Sequence, residues 1–296
     1  MTRRIMAPYR WYGGKGNMVA KLTPLIPWSK VYCEPFFGAG SIFWNLRPRK
    51  VEIVNDLNGD IVNFMRALQD PTRADKLEGR LAFTLYSLDE FRLALTTLAE
   101  STDPDERAWA FFVAQNQGFS GMVANSEGSW SRVFISCRGM AMTVSKWQTR
   151  LGMFGQWAKR IARAQIDHRD ALEVIRFWDS PETVFYLDPP YASGTRAASS
   201  TNMYAHECDD AFHSRMVELL LTLKGQVVLS GYATPLYAPL EAAGWERTDW
   251  QTACHAAGKV RGTKLRGAGA GLEHAARTES VWLSPNHRDG MGGRLF

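Results

Sequence analysis

Short apolar runs alternate with amphipathic segments at both ends of the chain. Near the start, this pattern predicts buried strands over 31–36 and 51–55, the beginning of a helix over 41–46 and a helix over 61–68. The same character returns after residue 184, with predicted strands over 184–187 and 226–230 and helices over 212–223 and 235–243. Such alternation is typical of an α/β fold, in which helices cover both faces of a mostly parallel sheet.

A different pattern occupies the middle of the chain. Residues 89–98, 105–113 and 145–164 each repeat apolar positions with helical spacing. Asp103 and Ser145 can each begin a helix, because their side-chain oxygens can accept hydrogen bonds from unpaired N–H groups. We therefore predict a core formed by residues 1–62 and 166–296, interrupted by a mainly helical insertion over 63–165.

Composition narrows the class of protein. The 296 residues are 45% hydrophobic and 22% charged, which is ordinary for a folded globular protein. No apolar run approaches the roughly 18 residues that cross a bilayer, so we expect a cytoplasmic protein that is neither secreted nor embedded in a membrane. Cys33, Cys137, Cys208 and Cys254 lack metal-ligand spacing, which argues against a disulfide framework or a zinc site. A net charge of +5 weakly favours a polyanionic partner.

A glycine-containing loop follows the first predicted strand. Its sequence is Glu34-Pro35-Phe36-Phe37-Gly38-Ala39-Gly40-Ser41. Gly38 and Gly40 permit positive φ and a close approach of the backbone to a ligand. Asp56 lies 18 residues beyond Gly38, where nucleotide-binding α/β folds place an acid that accepts ribose hydroxyls. Together these features suggest a cofactor that contains adenosine; the alternative is a tight turn followed by a helix cap.

A stiff acidic turn, Asp188-Pro189-Pro190-Tyr191, follows the strand predicted over 184–187. The prolines hold Asp188 at the carboxyl end of a strand, where open α/β sheets bind ligands. If Asp188 and the Pro189 carbonyl accept both N–H groups of an exocyclic amino group, its lone pair is free to attack an electrophile. Tyr191 can stack on a base that has left the duplex. The turn therefore suits N-methylation of a base; the alternative is a solvent-facing Pro-Pro turn.

The chain resembles the Dam-like (D12, class α) DNA adenine N6-methyltransferases in four motifs that follow the family's order. They are Arg10-Trp11-Tyr12-Gly13-Gly14-Lys15, the loop over 34–40, Asn55-Asp56-Leu57-Asn58 and Asp188-Pro189-Pro190-Tyr191. The resemblance implies a Rossmann-like, S-adenosylmethionine-dependent methyltransferase core with an inserted target-recognition domain. It also implies methylation of a flipped-out adenine in a short site of double-stranded DNA. This chemistry requires no metal, and His206, His213, His255 and His274 show no metal-ligand spacing.

The resemblance implies roles for individual residues. At the cofactor we expect Trp11 and Lys15 near the methionine end, Glu34, Phe36, Gly38, Gly40 and Asp188 around the pocket, Asp56 at the ribose and Asp170 at the adenine amino group. The expected catalytic residues are Asp188, Pro189, Pro190 and Tyr191. For Asp170, the alternative is a simple helix N-cap.

Expected DNA contacts fall in two places. The insertion lacks the hairpin of GATC-methylating members, so the resemblance does not imply GATC as the target. Donors and acceptors suited to base edges are carried by Gln115, Asn116, Gln117 and Arg132. A glycine-rich basic stretch suited to phosphates contains Lys259, Arg261, Lys264 and Arg266. The polar stretch 192–210 is expected to close over the flipped base.

Three other functions stay open at this point. N4-methylation of cytosine poses the same electronic problem, although Asp188 favours adenine. A nicotinamide-dependent oxidoreductase would share the glycine loop but would leave the turn at Asp188 unexplained. A catalytically silent DNA-binding protein is the third alternative.

Overall fold

A seven-stranded sheet forms the centre of the structure, a computed structural model that describes residues 4–11, 13–118, 129–191, 209–253 and 276–287. In chain order, the strands are β1 Val31–Glu34, β2 Val51–Asn55, β3 Ser136–Cys137, β4 Met140–Ala141, β5 Gln165–Asp167, β6 Thr183–Leu187, β7 Gln226–Gly231, β8 Glu246–Ala253 and β9 Ala276–Leu283. The large sheet has the order β5-β2-β1-β6-β7-β9-β8, and β3 pairs with β4 in a separate hairpin.

The topology places a crevice at the centre of the sheet. Strands β5, β2, β1, β6 and β7 are parallel, whereas β9 runs antiparallel to both β7 and β8. From β1 the chain moves outward to β2 and β5, and it then returns to β6 on the other side of β1. Open α/β sheets bind ligands outside the carboxyl ends of the strands at such a switch point, here between β1 and β6. The predicted α/β fold is confirmed.

Helices cover both faces of the sheet, as the alternating pattern predicts. They are α1 Val19–Leu22, α2 Gly59–Gln69, α3 Pro71–Ala82, α4 Leu88–Glu100, α5 Pro104–Gln117, α6 Met142–Leu151, α7 Phe154–Ile161, α8 Ala171–Trp178, α9 Asp210–Leu220 and α10 Ala238–Ala242. Successive side chains of β1 point to opposite faces of the sheet. Tyr32 belongs to the core beneath α2–α7, and its neighbour Cys33 belongs to the core beneath α8–α10. Within the described ranges, no helix is long and apolar enough to cross a membrane.

Two local predictions are wrong. The helix expected over 41–46 is only the 3₁₀ turn Phe43–Asn45, because Leu46 is already extended and Pro48 follows closely. The helix expected over 145–164 is two helices, α6 and α7, separated at Gly152, the residue type with the lowest helix propensity apart from proline. Ser145 does not cap α6, which begins three residues earlier, whereas Asp103 caps α5 as predicted.

The middle helices share a core with the sheet. Helix α5 is buried on every side from Ala108 to Gln117, and Phe112 stacks on Phe64 of α2 with ring centroids 5.7 Å apart. The domain limits predicted at residues 62 and 166 fall inside α2 and β5. A separate recognition domain over 63–165 therefore stays a prediction. The helices of this region pack directly on the core.

The N-terminal segment has little secondary structure of its own and is fastened to these helices. Three consecutive carbonyls, those of residues 6–8, accept hydrogen bonds from Trp157, Arg150 and Asn116. Further along the segment, Tyr9 is buried between aromatic rings of α2 and α5. Helices α5, α6 and α7 thus fix the approach to Trp11 and the residues that follow it.

A buried ion pair connects α7 with the sheet. The Arg160 guanidinium donates two hydrogen bonds, of 2.6 and 2.7 Å, to the Glu52 carboxylate on β2. Both residues are buried, and the guanidinium also lies 3.7 Å from the ring centroid of Phe43. Removing one partner of such a pair leaves an uncompensated charge in the core.

We expect Arg160→Leu to destabilise the protein by about 3–5 kcal/mol, because Glu52 would lose its buried counterion. Urea denaturation followed by circular dichroism measures the change. Arg163→Leu is the matched control, since Arg163 is exposed in the turn after α7 and its replacement should stay within about 0.5 kcal/mol. Equal stability of the two variants would contradict a role for the pair in fastening α7.

Candidate active site

A cleft opens at the switch point between β1 and β6. It lies between the loop after β1 and the turn after β6. Every residue predicted to contact the cofactor or the target base lines it. These residues are Trp11, Lys15, Glu34, Phe36, Gly38, Gly40, Asp56, Asp170, Asp188, Pro189, Pro190 and Tyr191. The structure thus brings together side chains from four motifs; the individual roles stay predictions.

The two glycines of the loop make room for aromatic side chains. Gly38 and Gly40 have φ of +49° and +63°, which other residues rarely adopt. A Cβ atom on Gly38 would lie 2.9 Å from the Trp11 indole, and one on Gly40 would lie 2.2 Å from the Phe37 ring. The Tyr9 hydroxyl donates to the Gly38 carbonyl at 2.6 Å. The packing of these rings therefore requires glycine at both positions, whether or not a ligand also needs the space.

Two acids predicted at the cofactor also organise the backbone. Asp56 accepts hydrogen bonds from the N–H groups of Gly38 and Asn58, at 2.7 and 2.9 Å, so it holds the glycine loop against β2. Asp170 caps α8, with Oδ1 accepting from the N–H of Leu172 at 2.9 Å. The N-cap alternative for Asp170 is confirmed, and the same side chain faces the cleft.

A buried cluster of charges lies beside the cleft, with Lys15 and Asp188 in the cleft lining. Lys15 Nζ donates to Asp188 Oδ1 at 2.5 Å and to the Tyr191 hydroxyl at 2.9 Å, and it lies 3.3 Å from Glu279 Oε1. Glu279 also accepts hydrogen bonds from the hydroxyls of Ser230, at 3.0 Å, and Tyr191, at 3.4 Å. The Lys15 ammonium is thus engaged with the turn over 188–191, and its position at the methionine end of the cofactor stays a prediction.

Asp188 and Glu34, two of the acids that line the cleft, have different environments. Burial raises the pKa of Asp188 to about 6, with the nearby Lys15 ammonium opposing the rise and the Glu279 carboxylate adding to it. Burial raises the pKa of Glu34 further, to about 8, although Glu34 accepts a 2.6 Å hydrogen bond from the Tyr32 hydroxyl. At pH 7, Asp188 is therefore mostly ionised and Glu34 mostly protonated.

Two aromatic side chains, Tyr232 and His213, contact the turn over 188–191. Tyr191 is only 9% exposed, and its ring stacks on Tyr232 with centroids 4.0 Å apart. The buried His213 bonds the Pro190 carbonyl through Nε2 at 3.0 Å and the Tyr237 hydroxyl through Nδ1 at 2.9 Å. Because a carbonyl only accepts, Nε2 carries the proton and Nδ1 accepts from the tyrosine. The sequence reasoning missed this role of His213.

The polar residues at the end of α5 are buried in the packing around this helix. Gln115, Asn116 and Gln117 are 1%, 3% and 0% exposed, which corrects the expectation that they present groups to base edges. The Asn116 amide donates to the Pro8 carbonyl, and the Gln117 amide donates to the Leu85 carbonyl at 2.8 Å. Side chains held in this way stabilise the packing of α5 and cannot reach a DNA groove.

The remaining expected DNA contacts have different outcomes. Arg132 is exposed, as a residue that contacts DNA must be, and its guanidinium lies 5.8 Å from the Trp130 ring centroid. The basic stretch with Lys259, Arg261, Lys264 and Arg266, and nearly all of the stretch 192–210, lie outside the described residues.

Glu279 is a further functional candidate that the sequence reasoning missed. The signal is its position on β9: residues 279, 281 and 283 share one face, and Val281 on that face is fully buried. An acid in a buried position of a strand requires a partner. Separately, no group of three potential metal ligands occurs among the described residues.

Known proteins with similar sequences indicate the family of this chain. A family model described as D12 class N6 adenine-specific DNA methyltransferase matches residues 11–252. A DNA N-6-adenine-methyltransferase of Escherichia phage P1 is 25% identical over 215 residues, which cover 72% of this chain but only 27% of the phage protein. This chain therefore matches about a quarter of that relative's length.

Two bacterial relatives match over more of their own length. A DNA adenine methylase of Vibrio cholerae is 26% identical over 203 residues, covering 65% of this chain and 68% of the relative. A DNA adenine methylase of Serratia marcescens is 24% identical over 234 residues, covering 77% and 83%. Because the family model extends over most of the chain, the protein belongs to the D12 class N6 adenine-specific DNA methyltransferases.

Proposed function

We propose that the protein transfers a methyl group from S-adenosylmethionine to N6 of an adenine in double-stranded DNA. One observation carries the proposal: the glycine loop and the Asp188–Tyr191 turn face each other across one cleft, with the Asp188 side chain 19% exposed toward it. Family membership supports adenine over cytosine as the target.

The cleft has the features that an adenosine-containing methyl donor requires. Asp56 and Asp170 both line it. We propose that Asp56 accepts the ribose hydroxyls and that Asp170, whose Oδ1 caps α8, accepts the adenine amino group through Oδ2. Trp11 and Phe36 would supply apolar surface. When bound, S-adenosylmethionine supplies an electrophilic methyl group on a sulfonium sulfur.

The catalytic turn would activate the target nitrogen. Asp188 and the Pro189 carbonyl would accept its two N–H groups, which would free the lone pair from the ring. The nitrogen would then bond the donor's methyl carbon as the methyl–sulfur bond breaks, and its surplus N–H proton would pass to the Asp188 carboxylate. The ionised Asp188 stabilises the positive charge that develops on nitrogen. Tyr232 stacks on one face of the Tyr191 ring and Lys15 Nζ lies 5.0 Å from its centroid, so a flipped base would stack on the part of the ring that these two groups leave uncovered.

DNA recognition is proposed to lie in the insertion over 63–165. Arg132 is the exposed candidate for base contact, and the basic stretch from Lys259 to Arg266 is the candidate for phosphate contact. Bacterial and phage relatives suit a cytoplasmic enzyme with direct access to DNA.

The direct test is incubation of the protein with labelled S-adenosylmethionine and unmodified duplex DNA, followed by identification of the modified nucleoside. We expect label in N6-methyladenine. Label in N4-methylcytosine would establish the cytosine alternative, and absence of label with intact DNA binding would establish the silent DNA-binding protein. Sequencing methylated DNA would then define the target site.

Asp56→Ala should weaken cofactor binding by roughly 1.5–3 kcal/mol, because two hydrogen bonds to a charged carboxylate would be lost. Calorimetric titration with S-adenosylmethionine measures the loss. Duplex affinity without cofactor is the internal control and should change little. A cofactor affinity equal to that of the wild type would remove Asp56 from the ribose site.

Asp188→Asn keeps the size of the side chain and removes its charge. We expect the single-turnover rate of methyl transfer to fall by about 10²–10³, because one preorganised electrostatic partner of the developing charge is lost. Duplex binding, which depends mainly on phosphates, should persist. Near-normal methyl transfer by this variant would exclude the proposed role of Asp188.

The rate should also depend on pH through Asp188. Its raised pKa, about 6, means that the reactive carboxylate is present above that value and is lost by protonation below it. We therefore expect kcat/KM to decrease as the pH falls through about 6, since this ratio reports ionisation of the free enzyme. The residual activity of Asp188→Asn should lack this acid limb; an identical limb in the variant would assign it to another group.

A further inference from the structure

The proposed function leaves an electrostatic difficulty at Asp188. Its carboxylate is needed as a negative charge beside the target nitrogen, yet it accepts a 2.5 Å hydrogen bond from the Lys15 ammonium. An isolated pair of this kind has no net charge, and a carboxylate bonded to an ammonium is a weaker acceptor for an amino group. The site therefore needs a second negative group near Lys15.

Glu279 lies where such a group is needed. Its Oε1 is 3.3 Å from Lys15 Nζ, only 0.8 Å further than the oxygen of Asp188 at 2.5 Å. The hydroxyls of Ser230 and Tyr191 hold the carboxylate in place, and the residue is 4% exposed. With Glu279 ionised, one ammonium faces two carboxylates, and the cluster carries one net negative charge.

The Lys15 ammonium can move between these partners with little rearrangement. Its three protons are directed to Asp188, the Tyr191 hydroxyl and the Gly13 carbonyl, the last at 3.3 Å. If Asp188 withdrew toward the cleft, one proton of the Lys15 ammonium would lose its acceptor. Glu279 is an acidic group already within 4 Å of Lys15 Nζ. Unpaired buried charges are costly, so this second acceptor lowers the free energy needed to detach Asp188.

We propose that Glu279 is a positioning residue for methyl transfer: it takes up the Lys15 ammonium and so frees the Asp188 carboxylate to engage the target amino group. Glu279 does not touch the substrate in this role. The proposal rests on the proposed function, because it presupposes that Asp188 acts on an exocyclic amino group. It also accounts for a buried acid on β9 that the cofactor site does not use.

The cluster must be considered as a whole when its pH dependence is predicted. The titratable groups that interact with Asp188, Lys15 or Glu279 come from several elements around the cleft and are Glu34, Tyr186 and Tyr191. At neutral pH, Glu34 is protonated and the tyrosines are neutral, since burial raises the pKa of Glu34, Tyr186 and Tyr191. Removing the charge of Glu279 should therefore lower the pKa of Asp188.

The test compares Glu279→Gln with the wild-type enzyme in single-turnover methylation of duplex DNA across pH. We expect the plateau rate to fall by roughly tenfold or more, less than the 10²–10³ typical of a group in direct contact. We also expect the acid limb to move to lower pH, whereas affinities for S-adenosylmethionine and duplex DNA stay close to those of the wild type. A merely structural role would not move the acid limb in this direction.

Two further variants separate charge from packing. Glu279→Asp keeps the negative charge and should recover most of the rate, and it also serves if Glu279→Gln fails to fold. Ser280→Ala is the matched control, because Ser280 is buried on the same strand but donates to Asp249, away from Lys15. Its rate and acid limb should match those of the wild type. Equal losses in Glu279→Asp and Glu279→Gln would overturn the proposal.

A double-mutant cycle with Asp188→Asn completes the test. If Glu279 acts through Asp188, Glu279→Gln should cause little additional loss in the Asp188→Asn background. Fully additive losses, or a wild-type rate and acid limb in Glu279→Gln, would overturn the inference while leaving the proposed function intact. Absence of N6-methyladenine with the wild-type enzyme would instead refute the proposed function, and the inference with it.

Discussion

One buried ammonium group joins parts of the candidate site that are remote in the sequence. Lys15 comes from the N-terminal segment, Asp188 follows β6 and Glu279 lies on β9. Burying three charges together costs desolvation free energy that good geometry only partly offsets, so such a cluster is weak evidence for stability. Its position beside the cleft is better explained by chemistry. The sheet, the fastened N-terminal segment and the antiparallel β9 all serve to bring these groups within hydrogen-bond distance.

The cleft controls charge by giving similar acids different surroundings. Burial raises the pKa of Glu34 to about 8 and leaves it protonated at neutral pH, although the hydrogen bond from the Tyr32 hydroxyl opposes this rise. Asp188 has the Lys15 ammonium, and its lower pKa of about 6 leaves it ionised. The negative charge beside the cleft is therefore concentrated at the catalytic turn. Separation of two carboxyl groups by environment is a general way to assign acid and base roles.

Local patterns were sufficient to predict the parts of the structure that depend on local chemistry. The apolar runs located four of the five parallel strands, all except β5, whose three residues form no apolar run. The glycines and prolines located both loops of the cleft, because these residues restrict the backbone wherever they occur. Contacts between distant segments were not accessible in this way. Asn116 looks like a DNA-reading residue until the structure places its amide on the carbonyl of Pro8, 108 residues away. Glu279 likewise has a visible signal on β9, but its partner Lys15 can be identified only from the fold.

The position of β9 in the sheet has a consequence for the order in which the enzyme becomes competent during synthesis. Strand β8 lies at the sheet edge and pairs with β9, so on the growing chain it has no neighbour until the later strand has emerged. All the residues that line the cleft precede β9 in the chain. Glu279 therefore joins Lys15 and Asp188 only when β9 enters between β7 and β8.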